Sequence, residues 1–289
     1  MSPSSQPLLR VALPNKGALS DEAIRLVTEA GYRVRRARSG LVARDNRNHV
    51  EFFFIRPRDI AIYVSNGVLD LGITGLDLLR DSEVPAVSAL RLAFGQASFY
   101  YAVPQDQDRT PDDLGGLRIA TSYEHLVQQD LDQRGLDATV IHLDGAVEIS
   151  IKLGVADAVA DVVQTGRTLY EAGLKTIGAP ILESEALLIA PDEAMLQRPD
   201  VDVFVKRLKG IVVARAYVLV EYDVHEDHLD EACLITPGLE SPTISPLSKE
   251  GWRAVKAMAP KRDVHDIIDR LDEVGAVGIF VTDLRTCRI

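Results

Sequence analysis

The feature of this sequence that most restricts its fold is an alternation of apolar runs with amphipathic segments. The runs LLRVAL (8–13) and VEFFFIR (50–56) have the apolar and β-branched content of strands. The segments SDEAIRLVTEAG (20–31) and RPRDIAIYVSNG (56–67) have the spacing and end residues of helices, with Ser20 as a predicted N-cap. This βαβα order predicts an α/β layer that binds ligands at the carboxyl ends of its strands.

A second series of alternating strands and helices begins near residue 96. The later segment SEALLIAP (184–191) has the content of a strand, and we expect it to cross back to the first layer. The sequence therefore predicts two α/β lobes, resembling type II periplasmic binding proteins, with a cleft suited to a small molecule. The predicted lobes are residues 1–95 with 182–208, and residues 96–181.

The last part of the chain has a different order of elements. IVVARAYVLVEYDV (211–224) is predicted as a long strand, and the strands and helices after it complete the order βαββαβ. That order is typical of a ferredoxin-like module, which we place at residues 212–289. Such modules often bind small regulatory ligands, although the fold alone does not establish this.

The segment DAVADVVQTGRTL (157–169) sets a lone carboxylate, Asp161, late in an apolar strand and just before a small turn. Thr165 can cap the helix that follows, and Gly166 permits a tight turn. A helix start suits a phosphate, and the two threonine hydroxyls and Arg167 add donors around it. Asp161 is placed to accept hydrogen bonds from a sugar diol, so the segment suits a ribose 5-phosphate. An ordinary strand, turn and capped helix explains the same pattern.

Composition narrows the classes of partner. The formal net charge of −11 disfavours general binding to nucleic acid or to anionic membranes. The negative charge of a polyphosphate ligand would therefore have to be neutralised by a few local cations or by a metal ion. The two cysteines, Cys233 and Cys287, fit a reduced cytoplasm, and the start of the chain lacks the pattern of a secretion signal, so we expect a cytoplasmic protein.

The stretch EISIKLGVADAVADVVQTGRTL (148–169) resembles the signature of the ATP phosphoribosyltransferases, and the chain resembles the long form of that family almost throughout. VEFFFIRPRDIAIYV, LDLGITGLDLL and ITPGLESPTISPL resemble further segments of the family. The signature positions are Glu148, Gly154, Ala156, Val159, Asp161, Val162, Thr165, Gly166, Thr168 and Leu169.

The resemblance implies a transfer of the phosphoribosyl group from phosphoribosyl pyrophosphate to N1 of ATP, the first step of histidine biosynthesis. Because the ring nitrogen already carries its lone pair, the reaction requires no Ser or Cys nucleophile. Catalysis would depend on positioning and on stabilising the departing pyrophosphate. Mg²⁺ would be held through the substrate phosphates, with no tightly bound metal in the protein.

The resemblance also implies the residues of the site. It places the 5-phosphate at Thr165, Gly166, Arg167 and Thr168, and the ribose hydroxyls at Asp161. The catalytic set would be Lys16, Arg56 and Asp161. Weaker assignments to ATP are Lys16, Gly17, Asp77 and Glu148, where Glu148 would polarise the adenine amino group.

Several of these assignments have a plainer alternative. Lys16 fits a solvated turn, Arg56 and the weaker candidate Arg58 fit pairs with surface acids, and Asp77 fits a helix cap. Glu148 fits an ordinary carboxylate on a helix face. Two positions also depart from the family: Ala18 stands where many relatives have Arg, and Gln164 stands where they often have an acid.

The long form carries its own regulatory domain, so the resemblance implies allosteric inhibition by histidine. It places the inhibitor at Asp223, Leu239, Ser241, Thr243 and Gly278. The alternatives are that Asp223 caps the helix near His225 and that the Pro-containing turn is only a hairpin. The family also suggests a homo-oligomer that assembles from dimers to a hexamer.

Two other functions stay open on the residues alone. Two lobes joined by crossing strands also describe non-catalytic solute-binding proteins. A phosphoribosyltransferase for another base would share the order of strand, acid and loop, but such enzymes commonly have two acids before the loop, and only Ala160 lies beside Asp161.

Overall fold

The computed structural model of the chain describes residues 8–35, 40–164 and 166–288, without the side chain of Ala18. The chain divides into two compact units. The first contains residues up to Thr28 together with Tyr32–Val205, and the second contains Glu29–Gly31 together with the chain from Lys206 onward. In the described part of the chain, no helix has the length and apolar character needed to cross a membrane.

The first sheet of the first unit has six strands. They are β1 (Leu9–Pro14), β2 (Val42–Asp45), β3 (Val50–Ile55), β4 (Leu71–Gly75), β5 (Val87–Arg91) and β11 (Ala186–Ala190). Their spatial order is β2-β3-β1-β4-β11-β5, in which β1 is parallel to both β3 and β4. The helices of this part of the chain are α1 (Ala18–Glu29), α2 (Pro57–Ser65) and α3 (Leu76–Asp81).

The second sheet has five strands. They are β6 (Ala97–Pro104), β7 (Arg118–Thr121), β8 (Thr139–His142), β9 (Ala158–Val163) and β10 (Leu174–Ser184). Their spatial order is β10-β6-β9-β7-β8, in which β7 is parallel to both β8 and β9. The helices among these strands are α4 (Glu124–Arg134), α5 (Ile149–Lys152) and α6 (Arg167–Glu171). Phe99, Tyr101 and Val127 are among the side chains of its buried core.

The chain passes between the two sheets twice. Strand β5 lies in the first sheet and is followed by β6 in the second, and β10 of the second sheet is followed by β11 of the first. Strand β11 pairs antiparallel with β4 and with β5, so it lies inside the first sheet, as its apolar sequence predicts. The predicted α/β core with two lobes joined by crossing strands is confirmed.

The second unit contains a four-stranded sheet. Its elements are β12 (Tyr217–His225), α9 (Leu229–Ile235), β13 (Thr243–Pro246), β14 (Trp252–Pro260), α10 (Val264–Glu273) and β15 (Val277–Asp283). The strand order is β13-β14-β12-β15, with α9 and α10 packed on one face through Ala232, Ile267 and Leu271. The predicted βαββαβ order of a ferredoxin-like module is confirmed.

Two local predictions were wrong. Residues 211–216 were predicted as part of a strand, but they end the helix α8 (Pro199–Ala216), which follows the short α7 (Glu193–Leu196). Ile211 and Ala214 are buried three positions apart, so one helix face uses the same apolar residues that suggested a strand. Ser20 was predicted to cap α1, but that helix begins two residues earlier, at Ala18.

Candidate active site

The carboxylate of Asp161 lies near the end of β9, in the interior of the second sheet. Asp161 pairs with Tyr100 of β6, and its Oδ1 accepts a hydrogen bond of 2.7 Å from the backbone N–H of Val162. Burial, together with the negative charges of Glu148 and Asp77, raises the pKa of Asp161 from 3.8 to about 6, against the lowering effect of that hydrogen bond. The folded protein therefore disfavours the ionised form of Asp161.

The carboxylate of Asp77 is buried and held by two hydroxyl groups. Its Oδ1 accepts from Ser184 Oγ at 2.6 Å, and its Oδ2 accepts from the hydroxyl of Tyr123 at 2.8 Å. A Cβ added to Gly75 would lie 2.2 Å from Asp77 Oδ1, so this glycine leaves the space that the carboxylate fills. Helix α3 has Gly75 at its N-cap and no side-chain cap, and the alternative that Asp77 caps this helix is therefore wrong.

The carboxyl ends of three neighbouring parallel strands are followed by Lys16, Arg56 and Asp77. Lys16 comes two residues after β1, Arg56 directly after β3, and Asp77 two residues after β4. The side chains of Lys16 and Arg56 are exposed, and within the described part of the chain neither forms a hydrogen bond or an ion pair. The alternative that Arg56 pairs with a surface acid is not what the described residues show. Gly17 follows with φ of +80° and makes the turn.

The loop after β9 begins the short helix α6. Gly166 is its N-cap residue, with φ of +71° and ψ of −2°, a left-handed conformation that favours glycine. The exposed Arg167 donates from Nε to Glu171 Oε1 at 2.7 Å, and Thr168 is exposed. Thr165, predicted as the cap and as a phosphate ligand, lies outside the described residues.

Hydrogen bonds join the edges of the two sheets at this site. Tyr123 follows β7, which is parallel to β9, so Tyr123 and Gln164, the residue after β9, lie at the same edge of the second sheet. The bond from Tyr123 to Asp77 links that edge to the edge of the first sheet. Burial and the charge of Asp77 raise the pKa of Tyr123, so its hydroxyl keeps the proton that it donates.

Arg58, a weaker candidate from the sequence, contacts residues that follow strand β7 of the second sheet. Its Nη1 lies 2.8 Å from Asp81 Oδ2, and its guanidinium carbon lies 5.1 Å from the centre of the Tyr123 ring. Sequence reasoning missed Tyr123, Ser184 and Asp81. The position of Tyr123 after an apolar strand was the available signal for it, whereas nothing in the local sequence marks Ser184 or Asp81.

In the second unit, Asp223 lies in β12 between buried residues that pack against α9 and α10, so its side chain is on the opposite face of the sheet. A Cβ added to Gly278, which has φ of +60°, would lie 3.9 Å from Asp223 Oδ2, so these two predicted residues lie together beside the bulge between β12 and β15. His225, and not Asp223, caps the turn that follows β12 by accepting from the N–H of Asp227, so the alternative that Asp223 is the cap is wrong.

The other predicted histidine contacts lie along β13 and the loop before it. Thr243 is in register with Lys256, and Ser245 is in register with Ala254, which in turn pairs with Asp223. Because cross-strand partners and alternate residues share a face, Thr243 lies on the same face as Asp223. Leu239 and Ser241 are exposed in the loop.

Comparison with known proteins identifies the family. Over residues 56–210 the chain matches the family described as ATP phosphoribosyltransferase (HisG), and over residues 214–286 it matches the C-terminal domain of HisG. Proteins named ATP phosphoribosyltransferase from Salinibacter ruber, Pseudarthrobacter chlorophenolicus and Mycobacterium leprae are 58%, 50% and 50% identical to it, over 97% or 98% of this chain and 100% of each relative.

A solved structure agrees with this result. One chain of the ATP phosphoribosyl transferase (HisG:HisZ) complex from Thermotoga maritima superposes with a TM-score of 0.63 at 25% identity, covering 72% of this chain and 98% of that chain. The resemblance noted in the sequence is thus confirmed at the level of sequence and of fold. The chain belongs to the ATP phosphoribosyltransferase family.

Proposed function

We propose that this chain transfers the phosphoribosyl group of phosphoribosyl pyrophosphate to N1 of ATP and releases pyrophosphate, the first step of histidine biosynthesis. The new bond joins adenine N1 to C1 of the ribose, and the bond from C1 to the pyrophosphate oxygen breaks. Membership of the family supports the reaction. The observation that supports the site is that Asp161 of the second sheet lies close enough to Asp77 of the first for their charges to interact. The exposed cations Lys16 and Arg56 follow strands at the same carboxyl edge of the first sheet as Asp77.

In this proposal the loop after β9 binds the 5-phosphate. The backbone N–H groups at Gly166 and Arg167 begin α6, and the exposed hydroxyl of Thr168 adds a donor. Thr165 is the remaining predicted ligand. Asp161 then accepts hydrogen bonds from the ribose hydroxyls, and its negative charge favours the positive charge that develops at C1 as pyrophosphate leaves.

Lys16 and Arg56 would stabilise the departing pyrophosphate. Both are exposed cations at the carboxyl edge of the first sheet, so they are free to meet phosphate oxygens. Gly17 would let the backbone approach ATP closely. Asp77 and Glu148 are the weaker candidates for ATP, and Glu148 would accept a hydrogen bond from the adenine amino group.

The reaction of this family uses a divalent metal, and we propose that it is Mg²⁺. Across residues 8–35, 40–164 and 166–288, no group of three or more His, Cys, Asp or Glu side chains is placed to hold a metal ion. Mg²⁺ typically keeps several waters and is bound through substrate phosphates with one or two carboxylates. The half-buried Asp161 and Glu148 fit that supporting role, and bound Mg²⁺ would neutralise charge on the pyrophosphate.

We also propose that histidine inhibits the enzyme by binding in the second unit. The carboxylate of Asp223 suits the ammonium group of a free amino acid, and the hydroxyls of Ser241 and Thr243 suit its polar ends. Gly278 and Leu239 would complete the site. A cytoplasmic location and an assembly from dimers to a hexamer, for which the family is the only support, stay predictions.

Pyrophosphate release tests the proposed reaction. Pyrophosphate should appear only when ATP, phosphoribosyl pyrophosphate and Mg²⁺ are all present, and the nucleotide product should gain the mass of the phosphoribosyl group. Release with another base in place of ATP would identify a different phosphoribosyltransferase. Binding of a ligand without any release, under all of these conditions, would favour a solute-binding protein.

A further inference from the structure

The first turn of α4 is capped by a carboxylate from a distant part of the chain. Asp81, the last residue of α3, is only 5% exposed, and its Oδ1 accepts from the backbone N–H groups of His125 at 3.1 Å and Leu126 at 3.2 Å. The N-cap residue of α4 itself, Tyr123, makes no side-chain cap hydrogen bond. Asp81 therefore satisfies N–H groups that a helix start leaves unpaired, and its charge is favourable at that end of the helix.

Arg58 completes the same contact from α2. Its Nη1 pairs with Asp81 Oδ2 at 2.8 Å, and its Nη2 donates to the backbone carbonyl of Ser122. The guanidinium group also lies over the ring of Tyr123. Arg58 and Asp81, from helices of the first sheet, thus hold residues 122–126 of the second. We call these two side chains and the segment that they hold the interlobe clasp.

Tyr123 lies in the middle of the interlobe clasp and reaches the site. Its ring packs edge-to-face on Phe99, with ring centroids 5.0 Å apart, and its hydroxyl donates to Asp77 Oδ2. Helix α3 therefore contacts the segment 122–126 twice, through Asp77 at its start and Asp81 at its end. Because the backbone on both sides of Tyr123 is held in this way, its hydroxyl has little freedom to leave Asp77.

We propose that Arg58 and Asp81 are positioning residues for the transfer reaction, acting through Tyr123 on Asp77. The interlobe clasp fixes the start of α4, the start of α4 fixes the Tyr123 hydroxyl, and this hydroxyl with Ser184 fixes the carboxylate of Asp77. Asp77 lies close enough to Asp161 for their charges to interact, so the clasp influences the separation of the two carboxylates. This inference rests on the proposed function, because it concerns the rate of that reaction.

Asp81→Asn tests the proposal with little change of shape. The amide oxygen still accepts from the helix N–H groups, but the charge pair with Arg58 is lost. We expect kcat to fall by about tenfold or more, since small misplacements of reacting groups are costly. Asp157→Asn is the matched control, because Asp157 also pairs with an arginine, Arg118, and accepts a backbone N–H, but wholly within the second sheet. It should change kcat by less than about twofold.

A double-mutant cycle separates positioning from general support of the fold. If Asp81 acts through Tyr123, then Asp81→Asn should lower kcat much less in a Tyr123→Phe background than in the wild type. Fully multiplicative losses would overturn the proposal, because they would show that Asp81 acts independently of the Tyr123 hydroxyl. A kcat for Asp81→Asn equal to that of Asp157→Asn would also overturn it.

Arg58→Lys decides the matter if Asp81→Asn fails to fold. Lysine keeps the positive charge but has no planar fork to reach both Asp81 and Ser122. We expect the same direction of change in kcat, and wild-type kcat would overturn the proposal. Absence of pyrophosphate release by the wild type would instead refute the proposed function, and this inference with it. An active wild type with unaffected variants refutes the interlobe clasp alone.

Discussion

Replacing the carboxylate of Asp161 by an amide should lower activity and raise stability at once. Asp161→Asn keeps the size of the side chain and an oxygen that can accept from the N–H of Val162. It removes the negative charge that we assign to the ribose hydroxyls and to the developing charge at C1. We expect kcat/KM to fall by about a hundredfold or more, as when one group that stabilises transition-state charge is lost.

The gain in stability follows from the pKa of the same group. Burial, with the charges of Glu148 and Asp77, raises the folded-state pKa of Asp161 from 3.8 to about 6. The difference between the two pKa values corresponds to about 3 kcal/mol in the free energy of unfolding. Because the folded-state pKa is the higher one, ionised Asp161 lowers the free energy of unfolding by the full amount above pH 6. This destabilisation shrinks as the pH falls toward 3.8 and is absent below it. The gain from Asp161→Asn should follow the same pH dependence.

Denaturant unfolding at pH 8 and pH 5, with pyrophosphate release at pH 8, measures both effects. Asp157→Asn is again the control, because the hydrogen bond from Arg118 lowers the pKa of Asp157 to about 2, and losing that carboxylate should destabilise the protein at pH 8. An Asp161→Asn variant that is less stable than the wild type at pH 8, or that keeps turnover within a few-fold of it, would refute the reasoning.

Three further substitutions test other parts of the site. Gly75→Ala should reduce turnover by displacing the carboxylate of Asp77, which a Cβ would approach to 2.2 Å; unchanged kcat would contradict this. Thr168→Ala should weaken the binding of phosphoribosyl pyrophosphate more than the binding of ATP in calorimetric titrations. Equal losses of affinity would argue that Thr168 does not bind the 5-phosphate. Thr243→Ala should raise the histidine concentration for half-inhibition several-fold, since one hydrogen bond is worth about 0.5–1.5 kcal/mol. Its uninhibited turnover should stay unchanged, and simple competition between histidine and ATP would place the inhibitor elsewhere.

Local patterns predicted the elements that carry most of the candidate site. The strand at 158–163, the glycine turn and the helix from Arg167 could all be expected, because β-branched residues, a glycine and a helix start act over a few neighbouring residues. The βαββαβ order predicts that the first and last strands of the module are neighbours, as β12 and β15 are, but the placement of Gly278 opposite Asp223 came from the family resemblance. Residues 211–216 show the limit of this reasoning, because a short apolar run suits either a strand or one face of a buried helix.

The sequence by itself determined the fold class, the order of the elements and which residues carry charge near the ends of strands. Only the tertiary structure decided which of these charges meet. Asp77 contacts Ser184 and Tyr123, which are 107 and 46 residues away in the chain, and Asp81 caps a helix that starts more than 40 residues later. The pKa of Asp161 is raised mainly by burial, with a smaller contribution from the charge of Asp77 in the other sheet. Burial and electrostatic interaction depend on distance in space, and separation along the chain does not specify that distance.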